Sequence, residues 1–238
     1  MPAPPWPRAR RTAPRRTLSQ DAVVTAALHV IGTEGAEALS MRRVAQELGT
    51  GPASLYAHVS GREELIALAI DRALGGVECP EPDPGRWQEQ VKQVMRQARA
   101  VLVAHGDLAR LFQEIGVPMG GNAARCTEGL LAVLAAAGLP PQVCAYAVDA
   151  LPLYITGAAA EEAVRTARHR AGGPDRKGMM ERTRAYFQAL PADRFPMING
   201  MVDELMRDEG DERFEFGLNL LVTGLARYAP HPSSGRTP

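Results

Sequence analysis

Aromatic side chains make up only 5% of this 238-residue chain, and cysteines number three. The 27 Lys and Arg residues are matched by 27 Asp and Glu, so there is no formal net charge. Few aromatics and little β-branched alternation argue against a sheet-built core. Cys79, Cys126 and Cys144 are odd in number, widely spaced and without a CxxC pair. That excludes a disulfide framework and points to buried or incidental thiols in a reducing cytosol. No uninterrupted apolar run approaches the roughly 18 residues of a membrane span; Leu130–Leu139, with ten, is among the longest. No membrane association is expected. Charge balance, taken alone, speaks against a uniformly basic nucleic-acid-coating surface.

Catalytic signatures are also missing. The histidines, His29, His58, His105, His169 and His231, form no HExxH or other metal-ligand spacing. There is no GxSxG elbow, and AGGPDRKGMM (171–180) lacks the GKS/T ending of a phosphate loop. An enzyme, the main rival class, therefore has no constellation to work with, and neither cofactor nor metal is expected. His105, before Gly106-Asp107, reads as a helix-end residue interacting with the carboxy-terminal dipole.

What is present is ordinary globular material, 45% hydrophobic and 23% charged, patterned almost throughout at three- and four-residue spacing. An all-α fold follows. Residues 1–17 hold five arginines (Arg8, Arg10, Arg11, Arg15, Arg16), five prolines and no acid, so 1–18 is expected to be a flexible basic arm. Arg15-Arg16 before Ala22–Ile31 faintly resembles a twin-arginine export signal. Asp21, Thr25 and His29, however, share one face at helical spacing, which an amphipathic helix explains better. Gly75–Gly85 (GGVECPEPDPG) reads as a boundary between a domain at 19–75 and a larger one at 86–228. Ala171–Gly178 reads as a mobile loop, and 229–238 as a disordered tail.

The amino-terminal pattern is specific. Ser19 caps a helix to about Glu34 with a stripe of Ala22, Val23, Ala26, Ala27, Val30 and Ile31, ended by Gly35. Ser40 caps Met41–Leu48, with Val44, Ala45 and Leu48 inward. Gly49-Thr50-Gly51 supplies a tight turn. Pro52 opens a third helix, Pro52–His58, and Ser60 through Glu63 form a capping box for a fourth running to Leu74. Two short helices around a glycine turn make a helix-turn-helix. Ala53 and Ser54 are small enough to approach base edges, while Tyr56 and His58 offer hydrogen bonds. Thr50, Gly51, Pro52 and Ser60 complete the candidate surface, with Arg42, Arg43 and Arg62 as phosphate anchors. The bland alternative is a three-helix packing unit without a DNA role.

The run LSMRRVAQELGTGPASLYAHVSGREELIALAI (39–70), and LYxHV at 55–59 above all, resembles the DNA-binding domain of TetR-family (tetracycline-repressor-like) transcriptional regulators. LARLFQE at 108–114, LLAVLAAAGLP at 130–140, YITGAAAEE at 154–162 and FEFGLNLLVTGL at 214–225 are similar to the tetracycline-repressor-type regulatory domain. The resemblance covers roughly residues 19–228. It implies a homodimer on a palindromic double-stranded operator, released by a small-molecule inducer. It also implies a four-helix dimer interface built from the last helix and the long helix before the loop.

The regulatory segments read as helices at Glu89–His105, Asp107–Ile115, Ala123–Ala137 and Pro141–Arg165. In the last helix Phe214, Leu218, Leu221 and Leu225 form one stripe beside Gly217 and Gly224, a face suited to close helix packing, within the chain or with a partner. Ala145, Ala147, Gly157 and Ala158–Ala160 are too small to fill space, so they permit close approach or leave a cavity. Candidate ligand-lining residues are Met95, Leu102, Phe112, Gln113, Leu131, Tyr154 and Glu161, each also explicable as plain core. The tetracycline repressor's magnesium-binding histidine is replaced by Phe112 in an ungapped comparison, while its pocket glutamate corresponds to Glu161. One carboxylate does not make a magnesium–tetracycline site. A largely apolar, aromatic or polyketide-like ligand is expected instead.

The charge balance conceals an asymmetry: residues 1–62 carry eight basic and four acidic groups, the remainder 19 and 23. A basic DNA-facing end on an acidic sensing body is the resulting expectation, in the cytoplasm. A helical sensor or adaptor without specific DNA binding is the alternative.

Overall fold

The computed structural model describes residues 18–116, 119–170, 176–207 and 210–230. The expected arm at 1–17 and the tail at 231–238 lie outside the described residues. Among those described there are helices and no strand: α1 (Gln20–Glu34), a 3-10 turn (Ala36–Ala38), α2 (Met41–Glu47), α3 (Pro52–Leu55) and α4 (Arg62–Leu74). They are followed by α5 (Trp87–Ala104), α6 (Leu108–Ile115), α7 (Gly121–Ala136), α8 (Pro141–Arg170) and α9 (Arg176–Gln188). Short α10 (Pro196–Gly200) and α11 (Val202–Leu205) lead to α12 (Gly210–Ala226).

Local chemistry sets the first elements. Ser19 Oγ accepts from the Ala22 N–H at 3.1 Å and Ser40 Oγ from Arg43 N–H at 3.1 Å, starting α1 and α2. Val23, Val24, Ala26, Ala27, Val30 and Ile31 form the buried face of α1. Val24 rather than Ala22 completes it. Gly49, at φ 63°, turns the chain out of α2. Three details depart from the sequence reading. The regular part of α3 stops at Leu55, because the N–H groups of His58 and Val59 both converge on the Leu55 carbonyl, tightening the last turn. Glu64, not Glu63, closes the start of α4, its carboxylate accepting from Ser60 N–H. Leu48 is only half-buried at the end of α2.

One continuous apolar core runs from α1 through α12. α4 packs on α1 and α5, and also on α6 and α7. In Gly75–Gly85 Val77 is buried, and the Gln90 side chain ties the segment down, accepting from Asp83 N–H and donating to the Glu81 carbonyl. α8 lies against α5, α6, α7 and α12. Within its stretch Pro141–Ala167 an 18-residue window reaches a mean hydropathy of 1.4, long and apolar enough to cross a membrane; the uninterrupted-run criterion missed it because Asp149, Glu161, Glu162 and Arg165 break the run. α12 buries Phe214, Leu218 and Val222, while Leu221 and Leu225 are half-exposed. Of the loop expected at 171–178, residues 171–175 lie outside the described residues, and 176–178 already belong to α9.

Candidate DNA interface and ligand cavity

α3 and the turn that follows it are oriented by two buried side chains, Leu55 and Val59, which sink into the core beneath them. Pro52, Ala53, Ser54 and Tyr56 therefore face outward, Tyr56 with 56% of its surface exposed. Gly51 and Ser60 are exposed at the flanks, and Thr50 is half-exposed with its N–H donating to the Ala45 carbonyl at 2.9 Å. His58 is half-buried, and its carbonyl accepts from Gln20 Nε2 at 3.1 Å, tying the end of α3 to the start of α1.

The three arginines expected to flank this surface are not equivalent. Arg42 is exposed on α2. Arg43 instead forks onto Glu34, with Nε 3.0 Å from both carboxylate oxygens, and also reaches Glu47 at 2.8 Å. This hydrogen bonding holds the Glu34 carboxyl below its usual range and pushes the Arg43 guanidinium further up. Arg62 donates through Nε to the Leu39 carbonyl (3.1 Å) and pairs with Glu114 of α6 at 2.9 Å. In the chain without DNA, Arg43 and Arg62 are thus both engaged by intramolecular carboxylates, while Arg42 is not tied down in this way among the described residues.

A cavity of about 340 Å³ opens between α5, α6, α7 and α8. Its interior is apolar, formed by buried Val94, Met95, Leu102, Ala123, Leu130 and Ile155. Its polar groups are Gln113, Thr127, Asp149 and Thr156. The first three are solvent-exposed at the rim, and Thr156 is buried, its hydroxyl donating to the Leu153 carbonyl at 3.1 Å. Pro152 also lines the space from the middle of α8, where its missing N–H cannot serve the Val148 carbonyl in the helical ladder.

Met95, Leu102, Phe112 and Gln113 meet in this cavity; Leu131, Tyr154 and Glu161 do not. Leu131 follows the lining residue Leu130 and so turns about 100° away along the helix. Tyr154 points from α8 toward α12, stacking on Phe214 (centroids 5.6 Å, planes 10° apart) and donating to the Phe214 carbonyl at 2.9 Å. Glu161 is exposed and pairs with Arg165 at 3.6 Å, one turn on. Sequence reasoning missed Asp149, Thr156 and Pro152. A mid-helix proline was the available signal for the last.

Two family models match the chain: "Bacterial regulatory proteins, tetR family" over residues 23–69 and "Tetracyclin repressor-like, C-terminal domain" over 79–228. The HTH-type transcriptional repressor DrrR1 of Streptomyces coeruleorubidus is 31% identical over 228 residues, covering 92% of this chain and 82% of that protein. The tetracycline repressor class D of Escherichia coli is 25% identical over 209 residues, 87% and 88% of the two chains. The TetR family protein ActR of Streptomyces coelicolor, solved in complex with actinorhodin, is 40% identical with a TM-score of 0.81, covering 92% and 100%. Its complex with (S)-DNPA gives 0.78, covering 89% and 98%. With a helix-turn-helix whose outward residues are small or hydrogen-bonding, and a cavity in the helices behind it, the chain belongs to the TetR family of bacterial regulatory proteins, as a ligand-responsive DNA-binding repressor.

Proposed function

We propose that two copies of the chain clasp a palindromic operator in the cytoplasm and release it when a largely apolar aromatic molecule enters the α5–α8 cavity. The observation that carries this reading is the shared wall: the helices that line the cavity, α6 and α7, are the same ones that pack on α4 behind the helix-turn-helix. Pro52, Ala53, Ser54 and Tyr56 would meet base edges and phosphates, with Thr50, Gly51, His58, Ser60 and Arg42 alongside. The volume and lining suit a compact small molecule, with Gln113, Thr127, Asp149 and Thr156 as polar contacts.

Dimerisation is supported by an exposed apolar face on α8 and α12: Tyr146, Leu153, Phe216 and Leu220 are each about 60% or more exposed. Two-fold pairing would cover that face and double the DNA contacts. Magnesium–tetracycline does not fit the site, because Phe112 lines the cavity and Glu161 lies outside it. ActR has been solved with actinorhodin and with (S)-DNPA, and both are sensible first probes here. The test is an electrophoretic shift with the DNA flanking its own gene, at several salt concentrations. A specific complex at nanomolar protein, weakened by salt and lost in Tyr56→Ala, is expected. Absence of any specific complex would favour the adaptor alternative, and an unaffected Tyr56→Ala would misplace the recognition surface.

A further inference from the structure

Cys79 and Cys126, 47 positions apart in sequence, meet at the joint where the chain leaves α4 and passes α7. Cys79 seats directly over Gly129: a Cβ added there would lie 2.5 Å from Cys79 Cβ and 2.8 Å from its Sγ, so only glycine leaves room for it. Gly129 is one turn beyond Cys126 on the same face of α7, where Cβ positions lie about 5–6 Å apart. Cys79 Sγ itself donates at 3.7 Å to the carbonyl of Arg125, the residue next to Cys126, and the two thiols are close enough to influence one another electrostatically. Arg125 binds the same joint, Nη1 lying 3.8 Å from Cys79 Sγ and 2.8 Å from the Val77 carbonyl, and Nη2 3.2 Å from the Leu74 carbonyl. Cys126 Sγ donates to that Leu74 carbonyl at 3.7 Å and also forms part of the cavity wall. Cys144 is buried elsewhere, at the start of α8.

We propose that Cys79 and Cys126 are an oxidisable dithiol that closes to an intrachain disulfide under hydroperoxide, pinning the end of α4 to α7. The Cys79 thiolate attacks the peroxide oxygen. The O–O bond breaks, the leaving oxygen takes a proton as water or alcohol, and Cys79 becomes a sulfenic acid. The Cys126 sulfur then attacks the sulfenic sulfur, and its proton leaves with the hydroxide as a second water, so the peroxide has taken two electrons from two thiols. The order follows from environment. Burial first, and then the neighbouring Cys79 charge, pushes the Cys126 thiol up to about 11. Cys126 is therefore the poorer first nucleophile and acts second, as the resolving thiol. Closing the bond needs Cβ atoms about 3.5–4.5 Å apart, a short movement for a segment already in contact. The inference does not depend on DNA binding by the chain.

The experiment treats the full-length protein with hydrogen peroxide, blocks remaining thiols with iodoacetamide and maps peptides by mass. A cross-linked Cys79–Cys126 peptide pair, lighter by two hydrogens, and loss of two of the three free thiols are expected. Cys79→Ser and Cys126→Ser should each abolish the pair, and Cys144→Ser should not. Phenylarsine oxide, which needs two adjacent sulfurs, should bind once per chain in the parent and to neither of the first two variants. Sulfinic acid at Cys79 with Cys126 still alkylated, or disulfides only between chains, would overturn the proposal. So would failure of the arsenical to bind the reduced parent.

Discussion

Adding a single methyl group at Gly217 tests how α8 and α12 are held together. A Cβ there would sit 2.7 Å from Tyr154 Cζ and 3.0 Å from Cε2, with the phenolic oxygen closer still. Alanine is the better helix former by about 0.5–1 kcal/mol, so an α12 position with free space would be stabilised. Here the ring must leave. It gives up its hydrogen bond to the Phe214 carbonyl, worth about 1 kcal/mol, and some or all of a stack worth about 0.5–1.5 kcal/mol. Gly217→Ala should therefore lower stability by roughly 0.5–2 kcal/mol once the helix gain is set against these losses. In a Tyr154→Ala background the obstruction is gone and the same substitution should raise stability by about 0.5–1 kcal/mol. Urea unfolding of the four proteins at one fixed concentration measures the cycle, with the slope constant and the midpoint moving. A reversal of sign, hence a coupling on the order of 1–2.5 kcal/mol, is the expected outcome. Equal effects in both backgrounds would show that Tyr154 does not occupy the space over Gly217.

Ala98 lines the cavity from α5, so Ala98→Trp should keep operator affinity while weakening release by an inducer tenfold or more, about 1.4 kcal/mol or above; a gel-shift release titration reads it. Glu89 and Glu215 are held below the usual carboxylate range chiefly by hydrogen bonds from Arg96. Depressed groups contribute stability that is present above their unfolded value near 4.5 and lost as pH falls through the lower folded value. Melting temperature should therefore be flat on this account above about pH 5.5 and drop below about 4.5, with Glu215→Gln shallowing the drop; because Arg96 and Glu215 are over a third exposed, their share is under about 1 kcal/mol. Deleting residues 1–17, with their five arginines, should weaken operator binding and reduce the slope of log affinity against log salt, and an unchanged slope would show the arm makes no phosphate contacts.

Much of this architecture was legible because short-range chemistry dictates it. Ser19 and Ser40 cap where serine precedes an apolar stripe, and Gly49 turns where a left-handed residue is needed. Gly217 marks a close approach, although its neighbour Gly224 faces open space. The cavity was half legible. Met95, Leu102, Phe112 and Gln113 meet in it, since helical spacing assigns a face. Which neighbour a face meets is a tertiary matter, and Tyr154 and Glu161 show the cost of guessing it: both sit on α8, but on sides turned to α12 and to solvent. The occupied arginines escaped notice for the same reason. Arg43 finds Glu34 nine residues back, and Arg62 finds Glu114 more than fifty residues on, and no local pattern announces either pair. α9 to α11 carried no motif at all.

Those pairings also connect the cavity in one half of the chain to the helix-turn-helix in the other. α4 is gripped on both sides. Arg72 reaches back to α1, bonding the Asp21 carboxylate at 2.6 Å and the Thr25 hydroxyl at 2.7 Å. In the other direction Arg62 holds α6 through Glu114, and Asp71 accepts the Ala123 N–H at 2.9 Å at the start of α7. A molecule that wedges α6 from α7 therefore pulls near both ends of a 13-residue helix. That helix is about 20 Å long, so a 1.5 Å shift at one end rotates it by roughly 4° and carries α1 to α3 with it. Asp71→Asn keeps the shape but removes the charge facing a helix N-terminus, weakening the α7 grip by about 0.3–1 kcal/mol. Operator affinity without inducer should change little, while the inducer concentration for half-release should rise, because less of the wedge is transmitted. Unchanged release in Asp71→Asn together with complete loss in Glu114→Gln would place the whole transmission on α6.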